Sequence, residues 1–321
     1  MKPSSIVLLV AGLLLFPLIM THPYYMHLAN LILIFALTAT GLNVVTGYAG
    51  QLSLGHAAFS AIGAYSSALL SMKLGWPFPL ALVGSAVIAT GFGAILGIPS
   101  LRLRGPYLAL ATAGFSEIIR IIINNWESLT QGSRGIPEIP GPSFLGMAIS
   151  SERAWYYFLI GFFLVCTLAT YRIIHSHLGR AFIALRDNEQ AASASGVNPF
   201  AYKVIAFAMS AFLSGLAGSL YVHYRAYISP DTFTFAESVA FLSMVVVGGK
   251  GTLAGPLVGA AALTLVPDLL SFMKDFKMVF HGILLVLCMM FLPGGLVSLA
   301  GTLKQWKPGG PPRRSNFVDA A

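Results

Sequence analysis

Apolar stretches of roughly bilayer-spanning length recur along this chain, with almost no charge inside them. Crossing the hydrocarbon core of a membrane takes about 20 residues of α-helix. Every backbone N–H and C=O in that core must be bonded internally. A chain built from such stretches is confined to helices that cross or enter a bilayer. Candidate helices fall near 5–21, 28–46, 52–71, 78–98, 106–124, 154–174, 203–223, 236–249, 252–272 and 278–295. The first follows Lys2 and runs from Ile6 to Met20, as a signal peptide does, but Thr21-His22-Pro23-Tyr24-Tyr25 offers no small-residue cleavage site. It reads as a retained span. The 236–249 stretch is short and 52–71 is rich in small and polar residues, so both have the character of broken or re-entrant segments. The expected fold is an all-α polytopic membrane protein with about ten transmembrane helices. Its membrane domain covers residues 1–300 and a tail covers 301–321.

Charge supports this reading. Only 9% of the 321 residues are Asp, Glu, Lys or Arg, against about a quarter in a soluble domain. So few charges cannot cover a water-exposed surface, which excludes a cytosolic enzyme and a disordered chain. The two cysteines, Cys166 and Cys288, lie in apolar runs with no metal-ligand or disulfide spacing. No metal or cofactor is expected. With the N-terminus placed inside, twelve of the 19 basic residues fall inside, six fall outside and Arg120 lies within a helix. That asymmetry obeys the positive-inside rule and puts both termini in the cytoplasm. The basic residues are spread thinly, as orientation signals, and form no nucleic-acid patch.

Two loops are long. The outer one, about 125–153, holds Gly132, Gly135, Pro137, Pro140, Gly141 and Pro142 and is either an ordered turn-rich cap or a flexible link. The inner one, about 175–202, contains a run of good helix formers from Arg180 to Ala192, with Gly196 and Pro199 as stop signals. A short cytoplasmic helix there is a docking surface or a plain solvated connector.

Few residues carry chemistry. Gly248-Gly249-Lys250-Gly251-Thr252 superficially suggests a phosphate loop but lacks the Ser or Thr after lysine and the glycine six residues before it. If ATP is used, another chain must bind it. Intramembrane ionisable groups are costly and usually face protein or an aqueous path. Glu117 and Arg120 stand at i,i+3 and can pair on one helix face, as a structural ion pair or, less simply, a substrate contact. Asn43, Gln51, Ser53, His56 and Ser60 cluster with Gly41, Gly47, Gly50, Gly55 and Gly63. Such a cluster makes tight packing with interhelical hydrogen bonds, or part of a translocation path. The string Gly50-Gln51-Leu52-Ser53-Leu54-Gly55 loosely echoes Gly251-Thr252-Leu253-Ala254-Gly255, as a repeat in a transporter would.

Five strings resemble one family. They are Gly41-Leu42-Asn43 through Thr46-Gly47-Tyr48-Ala49-Gly50-Gln51-Leu52-Ser53-Leu54-Gly55-His56 to Phe59; Arg104-Gly105-Pro106-Tyr107 continuing to Glu117 and Arg120; Gly179-Arg180 through Arg186-Asp187-Asn188-Glu189 to Gly196; Gly248 to Pro256; and Phe291-Leu292-Pro293-Gly294-Gly295-Leu296. In this order the chain resembles the permease subunits of branched-chain amino acid ABC transporters, of the LivH/LivM type and closer to LivM. The resemblance implies a type II ABC importer architecture in a bacterial inner membrane. It further implies a second, LivH-like permease, two cytoplasmic ATPases and a periplasmic substrate-binding protein. The inner loop matches the segment that docks on an ATPase, so Arg180, Arg186, Asp187, Asn188, Glu189 and Gly196 are the expected coupling residues. Asn43, Gln51, Ser53, His56 and Ser60 are the expected path residues. The chain itself is then no enzyme. Gln131 and Arg134 depart from the family's outer-loop pattern, where glycine and an uncharged residue are commoner. A urea or short-chain amide permease and a lone ion-coupled carrier are the competing expectations.

Overall fold

Prolines and capping side chains set where most of the helices begin. The computed structural model describes residues 22–99, 105–144, 147–149 and 151–269, with 16, 17, 20, 103, 282, 290 and 295–298 besides. Helix α1 spans Pro23–Asn43, with proline in its first turn and His22 Nδ1 accepting from the Tyr24 N–H at 3.3 Å. It runs on into a single π-turn, Val44–Tyr48. Helix α2 spans His56–Lys73, α3 Phe78–Gly97 and α4 Pro106–Asn125. A short α5, Glu127–Thr130, leads into a two-stranded antiparallel hairpin, β1 Ser143–Phe144 with β2 Met147–Ala148. Then come α6 Glu152–Ile174, α7 His177–Asp187, α8 Glu189–Ala194 and α9 Pro199–Arg225. A 3₁₀ turn at Pro230–Phe233 precedes α10 Phe235–Gly248 and α11 Gly255–Leu269.

Several boundaries differ from the expected ones for local reasons. The first described helix starts at Pro23, five residues early, because Pro23 supplies the fixed φ of a first turn. The 52–71 span starts only at His56, since Gly50 turns the chain at φ +69° and residues 51–55 form no helix. Helix α9 begins at Pro199, earlier than 203, because Asn198 Oδ1 caps it by accepting from the Phe200 N–H at 3.0 Å. The inner loop holds two helices, broken where Asn188 adopts φ −158°, ψ 107°. In the 125–153 loop, Ile136 and Ile228 exchange backbone bonds at 2.9 and 3.1 Å. Among the described residues the two-residue strands qualify the all-α expectation only there. The expected spans 5–21 and 278–295, Arg102, Arg104 and the 301–321 tail lie outside the described residues, apart from the scattered positions 16, 17, 20, 282, 290 and 295.

Helices α1 and α9 form the centre. Helix α9 packs on α1, α2 and α3, while α1 also meets α6, α10 and α11. Small residues permit these crossings: a Cβ on Gly63 would overlap the Gly215 backbone, and one on Gly218 would overlap the Ser60 carbonyl. Close backbone approach of this kind replaces the hydrophobic drive that lipid removes. The outer faces stay apolar, with Leu80, Val83, Val87, Phe92 and Ile95 of α3 exposed. Among the described residues five helices, α1, α3, α4, α6 and α9, are long and apolar enough to cross a membrane. The protein is a helical membrane protein.

Two ends result. One gathers the π-turn after α1, the start of α2, α7 and the turn before α11; Arg186 marks it. The other gathers the starts of α1 and α6, the end of α9 and the 126–149 loop; Glu152 marks it.

Candidate functional site

At the Arg186 end, α7 and α8 lie as a pair of short helices against the bundle. Helix α7 buries Gly179, Ala181, Phe182 and Leu185 on one face, with Phe182 edge-on to Tyr202 of α9. Its other face leaves Arg180 and Asp187 exposed, Asp187 by 63% of its side chain. Arg186 bonds Asp187 Oδ1 at 3.0 Å through Nε and the Gly47 carbonyl at 3.2 Å through Nη1. Its aliphatic stem lies over Gly50, where a Cβ would stand 2.6 Å from Arg186 Cγ. Asn188 caps α8 by accepting from the Ala191 N–H at 3.0 Å. Glu189 Oε1 accepts from Lys203 Nζ at 2.8 Å, and the Lys203 side chain is 1% exposed. Gly196, at φ +87°, turns the chain back toward α9. Of the six expected coupling residues, Arg180 and Asp187 point away from the fold. Arg186, Asn188, Glu189 and Gly196 tie or turn the pair of helices.

The same end is locked by Asn43. Its Oδ1 accepts from the Gly251 N–H and its Nδ2 donates to the Thr252 carbonyl, both at 2.8 Å. Gly47 is required beside it, because a Cβ there would sit on the Asn43 amide. Thr252 Oγ1 bonds the Gly249 carbonyl at 2.7 Å and receives the Gly255 N–H at 3.1 Å, so it caps α11. The string Gly251 to Gly255 thus meets the end of α1 at Asn43 and Gly47, and each of the two echoing glycine strings leads into a helix at this end.

His56 is buried with both ring nitrogens partnered, Nε2 to Ser210 Oγ and Nδ1 to Ser53 Oγ at 3.4 Å. Ser210 donates to the Gly41 carbonyl at 2.6 Å. Those directions put a proton on Nε2. Gln51 Nε2 reaches the Ala49 carbonyl at 3.2 Å, and the freed Leu54 N–H finds Thr112 Oγ1 at 2.8 Å. Asn43, Gln51, Ser53 and His56 thus each have a partner in a local turn or across a helix crossing. Ser60 stands apart: with Thr38, 3.4 Å away, it lines a cavity of about 250 Å³.

That cavity lies between α1, α2, α9, α10 and the 3₁₀ turn. Its walls are Ile34, Phe35, Ala217, Phe233 and Phe241, and Asp231, Thr232, Tyr221 and Glu237 stand among its polar lining. Glu117 and Arg120 form the expected pair, with Nε 3.0 and 3.1 Å from the two carboxylate oxygens. The pair reaches further than expected: Arg120 Nη1 lies 4.0 Å from Asp231 Oδ1. Lys203, Thr252 and Asp231 were not legible as site residues. Only the position of Lys203, at the foot of an apolar span, was a signal.

The sequence profile of the family described as branched-chain amino acid transport system, permease component, matches residues 24–291. The chain belongs to this family. It is 36% identical to the high-affinity branched-chain amino acid transport system permease protein LivM of Escherichia coli K12, over 85% of this chain and 69% of that protein. It is 28% identical to LivH of the same organism, over 82% of this chain and 91% of that protein. A further relative, the autoinducer 2 import system permease protein LsrC of Salmonella paratyphi B, is 24% identical over 63% of this chain and 58% of that protein. No solved structure matches the chain. As a permease of this family the chain is a transport subunit, nearer to LivM than to LivH.

Proposed function

We propose that this permease is the membrane subunit of an ATP-driven importer of branched-chain, aliphatic amino acids, in a bacterial inner membrane with both termini in the cytoplasm. A second permease completes the path, two cytoplasmic ATPases drive it, and a periplasmic binding protein delivers the substrate. The observation that carries this reading is the α7–α8 pair. It presents Arg180 and Asp187 outward while Arg186 and Glu189 brace it to the π-turn after α1 and to α9. A surface so braced transmits a push, whereas a solvated connector would not.

ATP binding closes the ATPase pair, and the docked helices move with it. The displacement passes through Arg186 to the end of α1 and through Lys203 to α9, the two central helices. Bundles packed through small residues then rock between outward and inward openings. The permease holds substrate weakly, because the binding protein has already selected it.

The test is accessibility with coupling. A cysteine replacing Asp187 should resist a membrane-impermeant maleimide added outside sealed cells and react once the membrane is opened. Asp187→Arg should release the ATPases on purification and abolish uptake. Labelling from outside, or leucine uptake by the purified chain alone under an ion gradient without ATP, refutes the reading.

A further inference from the structure

Helix α6 ends and α7 begins at a corner whose cations the fold leaves unanswered. Arg172, in the last turn of α6, and Arg180, near the start of α7, are both exposed. Neither makes a hydrogen bond or an ion pair among the described residues. The corner itself is tightly built. Ser176 Oγ donates to the Ile173 carbonyl at 2.6 Å and accepts from the Leu178 N–H at 3.2 Å. Gly179 presses so closely on α6 that a Cβ there would overlap the Ile174 carbonyl. The two arginines are thereby held at one corner. Between them His175 Nδ1 donates to the Tyr171 carbonyl at 2.8 Å, which leaves Nε2 for an outside partner. No Asp or Glu stands between Arg172 and Arg180. The next acidic residue along the chain is Asp187, and Arg186 engages it.

An open apolar track leads along α6 away from this corner. Leu168, Val165 and Gly161 precede Arg172 at helical spacing, so all four share one face. Leu168 is 57% exposed and Val165 67%, and a Cβ on Gly161 would meet nothing within 4 Å. Tyr171, also exposed, stands where aromatic side chains mark a membrane interface. At about 1.5 Å per residue the rise from Gly161 to Arg172 is about 16 Å, half of the roughly 30 Å hydrocarbon core. The face therefore has the length and polarity of one leaflet. We propose that it seats one anionic phospholipid. The phosphate lies at Arg172, His175 Nε2 and Arg180, and one acyl chain follows Leu168, Val165 and the notch at Gly161. Guanidinium groups suit this headgroup because they bond phosphate oxygens two at a time. A free phosphate would leave the apolar track without a role, and an uncharged headgroup would leave the arginines without one. The site needs only that this end of α6 meets a membrane surface, so it stands apart from the importer reading and from the orientation of the chain.

The test places the full chain in phosphatidylcholine vesicles holding a trace of phosphatidylglycerol with a photoreactive diazirine on one acyl chain. After illumination, mass spectrometry of the digested protein should find the lipid attached within residues 161–168. Phosphatidylcholine carrying the same diazirine should label that stretch severalfold less. Arg172→Gln should cut the preference for phosphatidylglycerol about fivefold, and Arg180→Gln should cut it by about as much again. Both side chains are exposed, so neither change threatens the fold, and Arg172→Lys with Arg180→Lys should retain most of the preference. Excess unlabelled phosphatidylglycerol should compete the label away, whereas inorganic phosphate should not. Equal labelling by the two lipids, or an unchanged preference in the double glutamine variant, overturns the site. Displacement by inorganic phosphate would make the corner a free-anion site, and absence of label from α6 would mean that protein covers this face; either result also overturns the proposal.

Discussion

The Glu189–Lys203 pair is the sharpest place to perturb the proposed lever. Lys203 Nζ is almost wholly buried and lies 2.8 Å from Glu189 Oε1, whose side chain is 23% exposed. At an effective dielectric of about 20, two unit charges at that distance attract by about 6 kcal/mol before desolvation is subtracted. Removing one partner of a buried pair costs about 3–5 kcal/mol, chiefly because the other charge is left alone. Partial exposure of Glu189 lets water reach the site, so about 3 kcal/mol is expected for Glu189→Ala. That loss appears as local opening of α8, raising amide hydrogen exchange over 189–197 by about a hundredfold. Lys203→Met in the Glu189→Ala background removes the stranded charge and should recover most of the protection. The charge-swapped pair, Glu189→Lys with Lys203→Glu, should stand closer to wild type than either single change. Suppose instead that exchange over α8 is unchanged in Glu189→Ala, or that the swap is no better than its singles. Glu189 would then not be an internal brace, and its place would be on the outward docking surface.

Other expected outcomes follow from the same end of the molecule. Asn43→Ala strands the Gly251 N–H and the Thr252 carbonyl in a buried site; a loss of about 3 kcal/mol should lower the melting temperature in detergent. Gly50→Ala forces a side chain into φ +69° against Arg186. It should cost about 1–2 kcal/mol from the backbone alone, read by the same melt, with Arg186→Ala relieving the steric part only. Asn188→Ala removes the cap of α8 and should cost about 1 kcal/mol, with Asn188→Asp near wild type in hydrogen exchange.

Much of the helical framework was readable along the chain, because its signals are local. Apolar length marks a span, Pro106 marks a first turn, and Gly196 marks a stop whatever surrounds it, whereas Pro199, read as a stop, opens α9. Glu117 and Arg120 could be paired in advance because i,i+3 spacing alone brings them together. Less legible was the start of α2. The string from Gln51 to Gly55 continues the span's composition, and the turn at Gly50 together with the Thr46–Gln51 and Leu54–Thr112 bonds holds it out of the helix.

By itself the sequence determined a membrane-embedded helical bundle with a helical loop over 175–202, since lipid leaves the backbone no other solution and few charges leave the surface none. The tertiary structure alone decided which polar residues meet. It turned Asn43 and His56 inward, sent Glu189 to Lys203, and drew Asp231 beside Arg120 and a cavity. Except for Glu189 and Lys203, 14 positions apart, these partners stand more than a hundred residues from one another in the chain. Side-chain spacing within one helix carries no information about such meetings; they exist only once small residues have let the helices cross.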